Sequence, residues 1–301
     1  SNSGAEANEA AIKIARLYGS RKQIARPTVI VMEGSFHGRT MATLSATANA
    51  KVQEGFAPLL DGFIRVPFND LAAVEALADN HDIVAVLVEP VQGEGGIQIP
   101  ANDYLAGLRT LCDRNDWLLM LDEIQSGNGR TGNYFACLGA GITPDVLTTA
   151  KGLGNGFPIG ACLVAGKADG VFGPGNHGST YGGNPLGCAT ALTVVNTLTD
   201  DIIDGVADKG AWLKDAFTQA FSDLPMVTEI RQQGLMLGIQ LDRPCAELVN
   251  RARDAGLLIN VTAGSVVRLL PPLVISQAEM QHLVNTLSTL IHRFADEQEV
   301  A

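Results

Sequence analysis

Two charged side chains follow apolar segments of this sequence and could act together chemically. Lys151 comes directly after the run VLTTA and opens a glycine-rich loop, and Asp122 ends the run WLLMLD. A lysine at such a boundary can be desolvated, which lowers its pKa and makes its amine a nucleophile able to form a Schiff base. The alternative is that Lys151 is a solvated surface lysine, as most lysines are.

A third candidate component lies at the start of the chain. The segment SNSGAEANEAAIKIARLYG is typical of a loop followed by a helix that ends at Gly19, which places Ser3, Gly4 and Ala5 at the helix N-terminus. Unbonded N–H groups and the helix dipole make that position suited to an anion such as phosphate. Taken alone, the same pattern also describes an ordinary capped helix.

Four apolar segments predict the strands that position these side chains. They are Thr28–Met32, Ile83–Val88, Trp117–Asp122 and Val146–Ala150, with helices predicted between them. Continuous apolar strands that alternate with helices indicate an α/β fold with a mostly parallel sheet and helices on both faces. Residues 158–166 follow Lys151 after only a loop, which predicts an antiparallel neighbour. Ligands bind such sheets beyond the carboxyl ends of the strands.

The pattern changes near residue 199, which predicts two domains. Residues 1–198 form the large domain, and residues 199–301 combine amphipathic helices with short strands in a smaller C-terminal α/β domain. Candidate strands in the second part are Gln233–Leu241 and Val266–Leu270.

Composition limits the possible partners. The 301 residues are 46% hydrophobic and can bury a large core, and a net charge of −11 argues against nucleic acid or an anionic membrane as a partner. The five cysteines are widely spaced without a zinc-type pattern, as expected for reduced thiols. No apolar run is long enough to span a bilayer, and no export signal is recognisable. We expect a cytoplasmic protein with no metal and no membrane partner.

Six motifs, taken together, resemble those of the class III aminotransferases. They are SGAEAN, FHGRT, EPVQGEGG, LDEIQSGNGRTG, TAKGLGNG and HGSTYGGNP, and in this order they extend over most of the chain. Each motif is weak alone, but six in register are a strong signal. The resemblance implies a fold type I enzyme with a seven-stranded-type sheet, pyridoxal 5'-phosphate as cofactor, and a homodimer with shared active sites.

The resemblance also implies which residues bind the cofactor. Lys151 would hold it covalently and move a proton, and Asp122 would keep its ring nitrogen protonated. The remaining cofactor contacts would be Ser3, Gly4 and Ala5 at the phosphate with the partner subunit's Thr180, Phe36 stacked on the ring, and Gln125 at the ring oxygen. The alternatives are a core position for Phe36 and a turn cap for Gln125. His37 is assigned a packing role without proton transfer.

The segments HGSTYGGNP and VVRLLPPL are most similar to class members that move the terminal amine of N2-acetyl-L-ornithine to 2-oxoglutarate in arginine biosynthesis. The resemblance places Arg39 and Ser179 at the acetylated substrate and Arg268 at the α-carboxylate of glutamate, because an arginine fork matches a carboxylate. Glu94 would mask Arg268 while the other substrate is bound. The alternative for this pair is a structural salt bridge.

Three other interpretations stay open. The first is another class III enzyme acting on ornithine, succinylornithine, N-succinyl-diaminopimelate or 4-aminobutyrate. The second is a nucleotide-binding α/β protein, although KGLGNGFPIG lacks the G-x-G-x-x-G order. The third is an inactive fragment that acts as a binding module. Class members carry a segment before SGAEAN that this chain lacks, so we expect it to bind cofactor less firmly than a longer protein.

Overall fold

The computed structural model describes residues 1–299, which form two compact units. The first unit comprises Ser1–Gln92, Pro100–Asn128 and Asn133–Leu198, and the second comprises Gly93–Ile99, Gly129–Gly132 and the chain from Thr199. The second unit therefore takes in two short segments that precede residue 199. Simple division of the sequence at that residue assigns both segments to the large domain.

The first unit is built on a six-stranded sheet. Its strands are β1 (Thr28–Met32), β2 (Phe63–Val66), β3 (Ile83–Val88), β4 (Leu118–Asp122), β5 (Val146–Thr149) and β6 (Ala161–Val164). They are ordered β2-β1-β3-β4-β5-β6, with β6 antiparallel to β5 and all other pairs parallel. The prediction of a mostly parallel sheet with one antiparallel neighbour is confirmed.

The α-helices of the first unit are α1 (Gly4–Arg21), α2 (Met41–Ala46), α3 (Ala50–Gln53), α4 (Leu71–Glu75), α5 (Tyr104–Arg114), α6 (Ala136–Gly139) and α7 (Pro185–Thr197). Of these, α1 packs on one face of the sheet and α5 on the other. Side chains alternate between the two faces of each strand, so Met120 packs in the cluster that contains α1 residues and Leu119 in the cluster that contains α5 residues. Burial on both faces explains why the central strands are continuously apolar.

The second unit contains an antiparallel sheet with its own core. Its elements are α8 (Asp200–Ala220), β7 (Val227–Gln233), β8 (Met236–Leu241), α9 (Leu248–Asp254), β9 (Asn260–Thr262), β10 (Val266–Leu269) and α10 (Gln277–Glu299), with strand order β7-β8-β10-β9. Phe217, Ile239 and Leu287 meet in the core. Within residues 1–299, no helix has the length and apolar character that a membrane crossing requires.

Two local features differ from the sequence prediction. β2 was not predicted, because it is a four-residue edge strand of mixed polarity that includes the exposed Arg65. With it the sheet has six strands in residues 1–299, one fewer than the resemblance implies. The predicted strand Gln233–Leu241 is interrupted after its first residue, because Gly234 adopts a φ of +54° in the turn between β7 and β8.

Leu287→Ala should destabilise the protein by about 2–5 kcal/mol, because it deletes buried atoms and leaves a cavity. Leu287 is 0% exposed in the core of the second unit. The matched control is Leu258→Ala, since Leu258 is 92% exposed and its truncation should change stability by less than about 0.5 kcal/mol. Urea unfolding followed by circular dichroism measures both variants, and equal losses would contradict the assigned core.

Candidate active site

A cavity of about 620 Å³ lies where the sequence predicted ligand binding, beyond the carboxyl ends of parallel strands in the first unit. Its walls come from the start of α1 and from the segments that follow β1, β3, β4 and β5. The sequence-predicted site residues that line it are Ser3, Gly4, Ala5, Phe36, Arg39, Asp122, Gln125 and Lys151. The fold thus brings together residues that are up to 148 positions apart in the sequence, from Ser3 to Lys151.

The start of α1 forms one wall of the cavity. Ser3 is the N-cap, and its Oγ accepts a hydrogen bond from the N–H of Glu6 at 3.2 Å. Gly4 and Ala5 lie in the first helical turn, whose N–H groups have no intrahelical acceptor. A Cβ added to Gly4 would lie 2.7 Å from the Cδ1 of Ile124, so a side chain at this position would have to displace Ile124. Such a helix start favours a bound anion.

The carboxylate of Asp122 is buried at the cavity and held by three donors. Its Oδ2 accepts from Asn8 Nδ2 at 2.7 Å and from His37 Nδ1 at 2.8 Å, and its Oδ1 accepts from the N–H of Ile124 at 3.1 Å. Asp122 is only 4% exposed. A buried carboxylate is costly unless donors replace water, and these three contacts provide that replacement.

His37 is a hydrogen-bonded partner of Asp122 rather than a packing residue alone. Burial by itself would lower the pKa of His37, but the hydrogen bond to Asp122, the charge of Asp122 and the charge of Glu89 together raise it above its ordinary value of 6.5. Its Nε2 is buried and has no hydrogen-bond partner within residues 1–299. The packing role predicted from the sequence is therefore incomplete.

Glu123, the residue after Asp122, has a different role. Its carboxylate accepts hydrogen bonds from the N–H groups of Ala136 and Cys137 and from the hydroxyl of Ser126. Burial raises the pKa of Glu123, although these donors oppose the shift. Adjacent residues of an extended chain point in opposite directions, so Asp122 reaches the cavity while Glu123 anchors the start of α6.

Lys151 follows β5 in a strained backbone conformation. Its φ of +43° lies in the left-handed region, which L-residues with side chains rarely adopt. The side-chain amide of Asn128 donates to Thr149 Oγ1 at 2.9 Å and to the carbonyl of Ala150 at 3.3 Å, which braces the strand end before this turn. Lys151 is exposed. Desolvation of the Lys151 amine therefore stays a prediction, since the residue as a whole is exposed in the single chain.

Glycines shape the loop that leaves Lys151. A Cβ at Gly154 would lie 2.1 Å from the carbonyl oxygen of Phe157, and a Cβ at Gly160 would lie 2.5 Å from that of Ser3. The N–H of Gly160 donates to the carbonyl of Ser1 at 2.9 Å. The loop therefore packs directly on the backbone that precedes α1, which joins two walls of the cavity.

The segment after β1 carries an aromatic ring and a cation to the cavity. Phe36 is half-buried, and its N–H donates to Glu89 Oε2 at 3.0 Å. Arg39 is exposed on the same segment. Because Phe36 lines the cavity, a core position alone does not describe it. Gln125 lines the cavity from the segment that follows β4.

Ser179 and Thr180 lie outside the lining of this cavity and are exposed. Ser179 Oγ accepts a hydrogen bond from Asn2 Nδ2 at 3.0 Å, and Asn2 itself lines the cavity. Ser179 therefore contacts a residue of the cavity wall but does not itself line the cavity. The cavity of a single chain does not include Thr180.

Glu94 and Arg268 form an ion pair within the second unit. Arg268 Nη1 donates to Glu94 Oε1 at 2.8 Å, and Arg268 Nη2 donates to Asn260 Oδ1 at 3.2 Å. Thr262 Oγ1 donates to the carbonyl of Glu94, and Arg231 Nη2 donates to the carbonyl of Gly96 at 2.8 Å. These two bonds hold the backbone around Glu94. The Glu94 carboxylate is held by its pair with Arg268.

Asn8 is a site residue that sequence reasoning missed, together with the contact between His37 and Asp122. A signal for Asn8 was available, because it is a polar residue on the buried face of α1 beside Ala7, Ala11 and Ile12. A fully buried amide requires hydrogen-bond partners, and carboxylates at strand ends are natural candidates. No comparable signal in the sequence connects His37 with Asp122.

Comparison with known proteins assigns this arrangement to one family. Residues 1–291 match the family model described as aminotransferase class III. The chain is 54% identical to the acetylornithine aminotransferase of Nitrosomonas europaea over 98% of its own length and 76% of that protein.

Solved structures agree with this result. The ornithine aminotransferase of Toxoplasma gondii, in a structure described as showing partial occupancy of PLP at the active site, has a TM-score of 0.94 and 33% identity, with 100% of this chain and 73% of that chain covered. The N-acetylornithine aminotransferase of Stenotrophomonas maltophilia has a TM-score of 0.83 and 35% identity, with 98% and 74% covered.

The raised pKa of His37 predicts a pH-dependent contribution to stability. Because folding raises its pKa, this contribution is complete below the unfolded-state pKa of about 6.5 and is lost as the pH rises through the higher folded-state pKa. The melting temperature of the wild type should exceed that of His37→Asn most below about pH 6.5, and the difference should shrink as the pH rises above that value. The control is His282→Asn, an exposed site. A difference that stays constant with pH would contradict the assignment.

Proposed function

This chain belongs to the class III aminotransferases, and we propose that it transfers the terminal amine of N2-acetyl-L-ornithine to 2-oxoglutarate. The products are N-acetyl-L-glutamate 5-semialdehyde and L-glutamate, which is a step of arginine biosynthesis. The observation that carries the proposal is the cavity in which Asp122 and Lys151 face one space beside the start of α1. Identity of 54% to an acetylornithine aminotransferase supports the choice of amine.

Pyridoxal 5'-phosphate is the cofactor that suits this cavity. The start of α1 offers N–H donors to a phosphate, and the Asp122 carboxylate is matched to a protonated ring nitrogen. Phe36 offers an aromatic ring for stacking. When bound, the cofactor supplies an electron sink that stabilises negative charge on the substrate carbon bearing the amine.

Residues of the chain would bind the cofactor and transfer the proton. Asp122 would accept the hydrogen bond of the protonated ring nitrogen, with its own charge supported by Asn8 and His37. The Nζ of Lys151 would hold the cofactor and move the proton that leaves the substrate carbon bearing the amine. Gln125 would donate a hydrogen bond to the cofactor's ring oxygen. Each role is the one that the family resemblance implies for that position.

Substrate recognition would use two arginines. Arg39, with Ser179 nearby, binds the carboxylate of acetylornithine, and Arg268 binds the α-carboxylate of glutamate. The 2.8 Å pair between Arg268 and Glu94 supports masking of this arginine while the acetylated substrate is bound.

A second copy of this chain would complete the site. Large apolar side chains on α7 and the loop before it are exposed, including Tyr181 at 74%, Leu186 at 64% and Leu192 at 59%. Such a surface favours burial against a partner. In a homodimer the partner subunit's Thr180 would donate to the cofactor phosphate. We also propose a cytoplasmic location, which the five free cysteines support.

The proposed function predicts a visible absorption band from bound pyridoxal phosphate that disappears when acetylornithine is added without 2-oxoglutarate. Lys151→Ala should lose the band and reduce kcat by at least about 1,000-fold, because nucleophile and proton carrier are removed together. The control is Lys51→Ala, since Lys51 is exposed outside the cavity lining.

The same assay separates the competing functions. A higher kcat/KM for ornithine, succinylornithine, N-succinyl-diaminopimelate or 4-aminobutyrate than for acetylornithine would replace the proposed amine donor. A protein that stays colourless with added pyridoxal phosphate would favour a nucleotide-binding or binding-module function.

Glu94→Gln should raise kcat/KM for glutamate relative to acetylornithine by about three- to tenfold, because the charge that masks Arg268 is lost while the side-chain shape is kept. The control is Glu247→Gln, which removes an exposed ion pair with Arg251 in the same unit. An unchanged preference together with a lower melting temperature would identify Glu94–Arg268 as a structural salt bridge only.

A further inference from the structure

Asn8 connects two strands of the large sheet at the base of the cavity. It is 0% exposed, and its Nδ2 donates both to Asp122 Oδ2 at 2.7 Å and to the carbonyl of His37 at 2.8 Å. Its Oδ1 accepts from Thr148 Oγ1 at 2.7 Å. Both polar atoms of the Asn8 side chain, Nδ2 and Oδ1, therefore have hydrogen-bond partners.

The pairing of β4 with β5 explains why one amide reaches both residues. Asp122 and Thr148 are direct partners in the parallel register, so their side chains leave the same face of the sheet. That face is the one covered by α1, since Met120 and Val146 pack there with Ile12. Asn8 lies one turn before Ile12 and reaches both strands.

The orientation of the amide is determined by its surroundings. A flipped Asn8 would place its carbonyl oxygen against two other oxygens, those of Asp122 and of the His37 carbonyl. Nδ2 must therefore face Asp122, and Oδ1 must face Thr148. Because Oδ1 can only accept, the Thr148 hydroxyl is the donor.

These contacts leave one side of the carboxylate for the cavity. Oδ2 receives both Asn8 and His37, whereas Oδ1 receives only the N–H of Ile124 among the contacts described for residues 1–299. A carboxylate oxygen accepts about two hydrogen bonds. Oδ1 therefore retains capacity for a donor that enters the cavity.

We propose that Asn8 and Thr148 are positioning residues for Asp122, which they hold with Oδ1 available to the protonated ring nitrogen of the cofactor. Thr148 acts through Asn8, and neither residue needs to touch the cofactor. This inference rests on the proposed function, because it assigns a purpose to the Asp122 contact with the cofactor ring.

The test measures the dissociation constant of pyridoxal phosphate from the full chain, by absorbance titration, and the absorption maximum of the bound form. Asn8→Ala should weaken binding by about 10- to 100-fold, because a hydrogen bond to a charged group is lost. Thr148→Val, which has the same shape without the hydroxyl, should weaken it by about three- to tenfold. In both variants the absorption maximum should move, since the carboxylate is no longer aligned with the ring nitrogen.

Two further variants separate positioning from packing. Thr148→Ser keeps the donor and should bind within about twofold of wild type. Thr28→Val is the matched control, because Thr28 is a buried strand residue whose hydroxyl donates to the Arg26 carbonyl at the amino end of β1. It should bind like wild type.

The outcomes distinguish the inference from the proposed function. If wild type binds the cofactor but Asn8→Ala and Thr148→Val match it in affinity and spectrum, the inference alone is overturned. If Thr148→Ser is as weak as Thr148→Val, packing rather than the hydroxyl is responsible, which also overturns it. If Asn8→Ala does not fold, the two Thr148 variants still test whether these residues position Asp122. A wild type that takes up no cofactor would overturn the proposed function itself.

Discussion

The register between β4 and β5 sets the geometry on which the site depends. It pairs Asp122 with Thr148, and Lys151 follows the end of β5. Parallel strands deliver their carboxyl ends to one edge of a sheet, so a carboxylate and an amine from different strands face one cavity. A shift of one residue would turn Asp122 to the opposite face, away from α1.

Burial of the charged Asp122 carboxylate at that edge carries an energetic cost in the first unit. Asp122 is nearly inaccessible to water, and three donors replace its hydration. None of the three belongs to a strand: Asn8 lies in α1, His37 in the segment after β1 and Ile124 in the segment after β4. The helix that offers N–H groups to an anion therefore also supports the carboxylate, through residues four positions apart, Gly4 and Asn8.

The second unit holds a cation, Arg268, between two acceptors. Arg268 has Asn260 as a neutral second acceptor, so its guanidinium keeps a contact if Glu94 moves. Thr262 and Arg231 fix the backbone around Glu94. The backbone around Glu94 is therefore held independently of its carboxylate.

The sequence alone determined the features that arise from local pattern. Apolar runs, alternating helices and a serine before Gly4 predict the strands, the layered fold and the helix start, because hydrophobic periodicity and capping act over a few residues. The positions of Lys151 and Asp122 at strand ends follow from the same patterns. Only the tertiary structure decided which distant side chains meet. Asn8 and His37 lie 114 and 85 residues from Asp122, and their contacts depend on strand order and register, which no local pattern encodes. The same reason explains why the exposure of Lys151 and the grouping of residues 93–99 with the second unit became visible only in the folded chain.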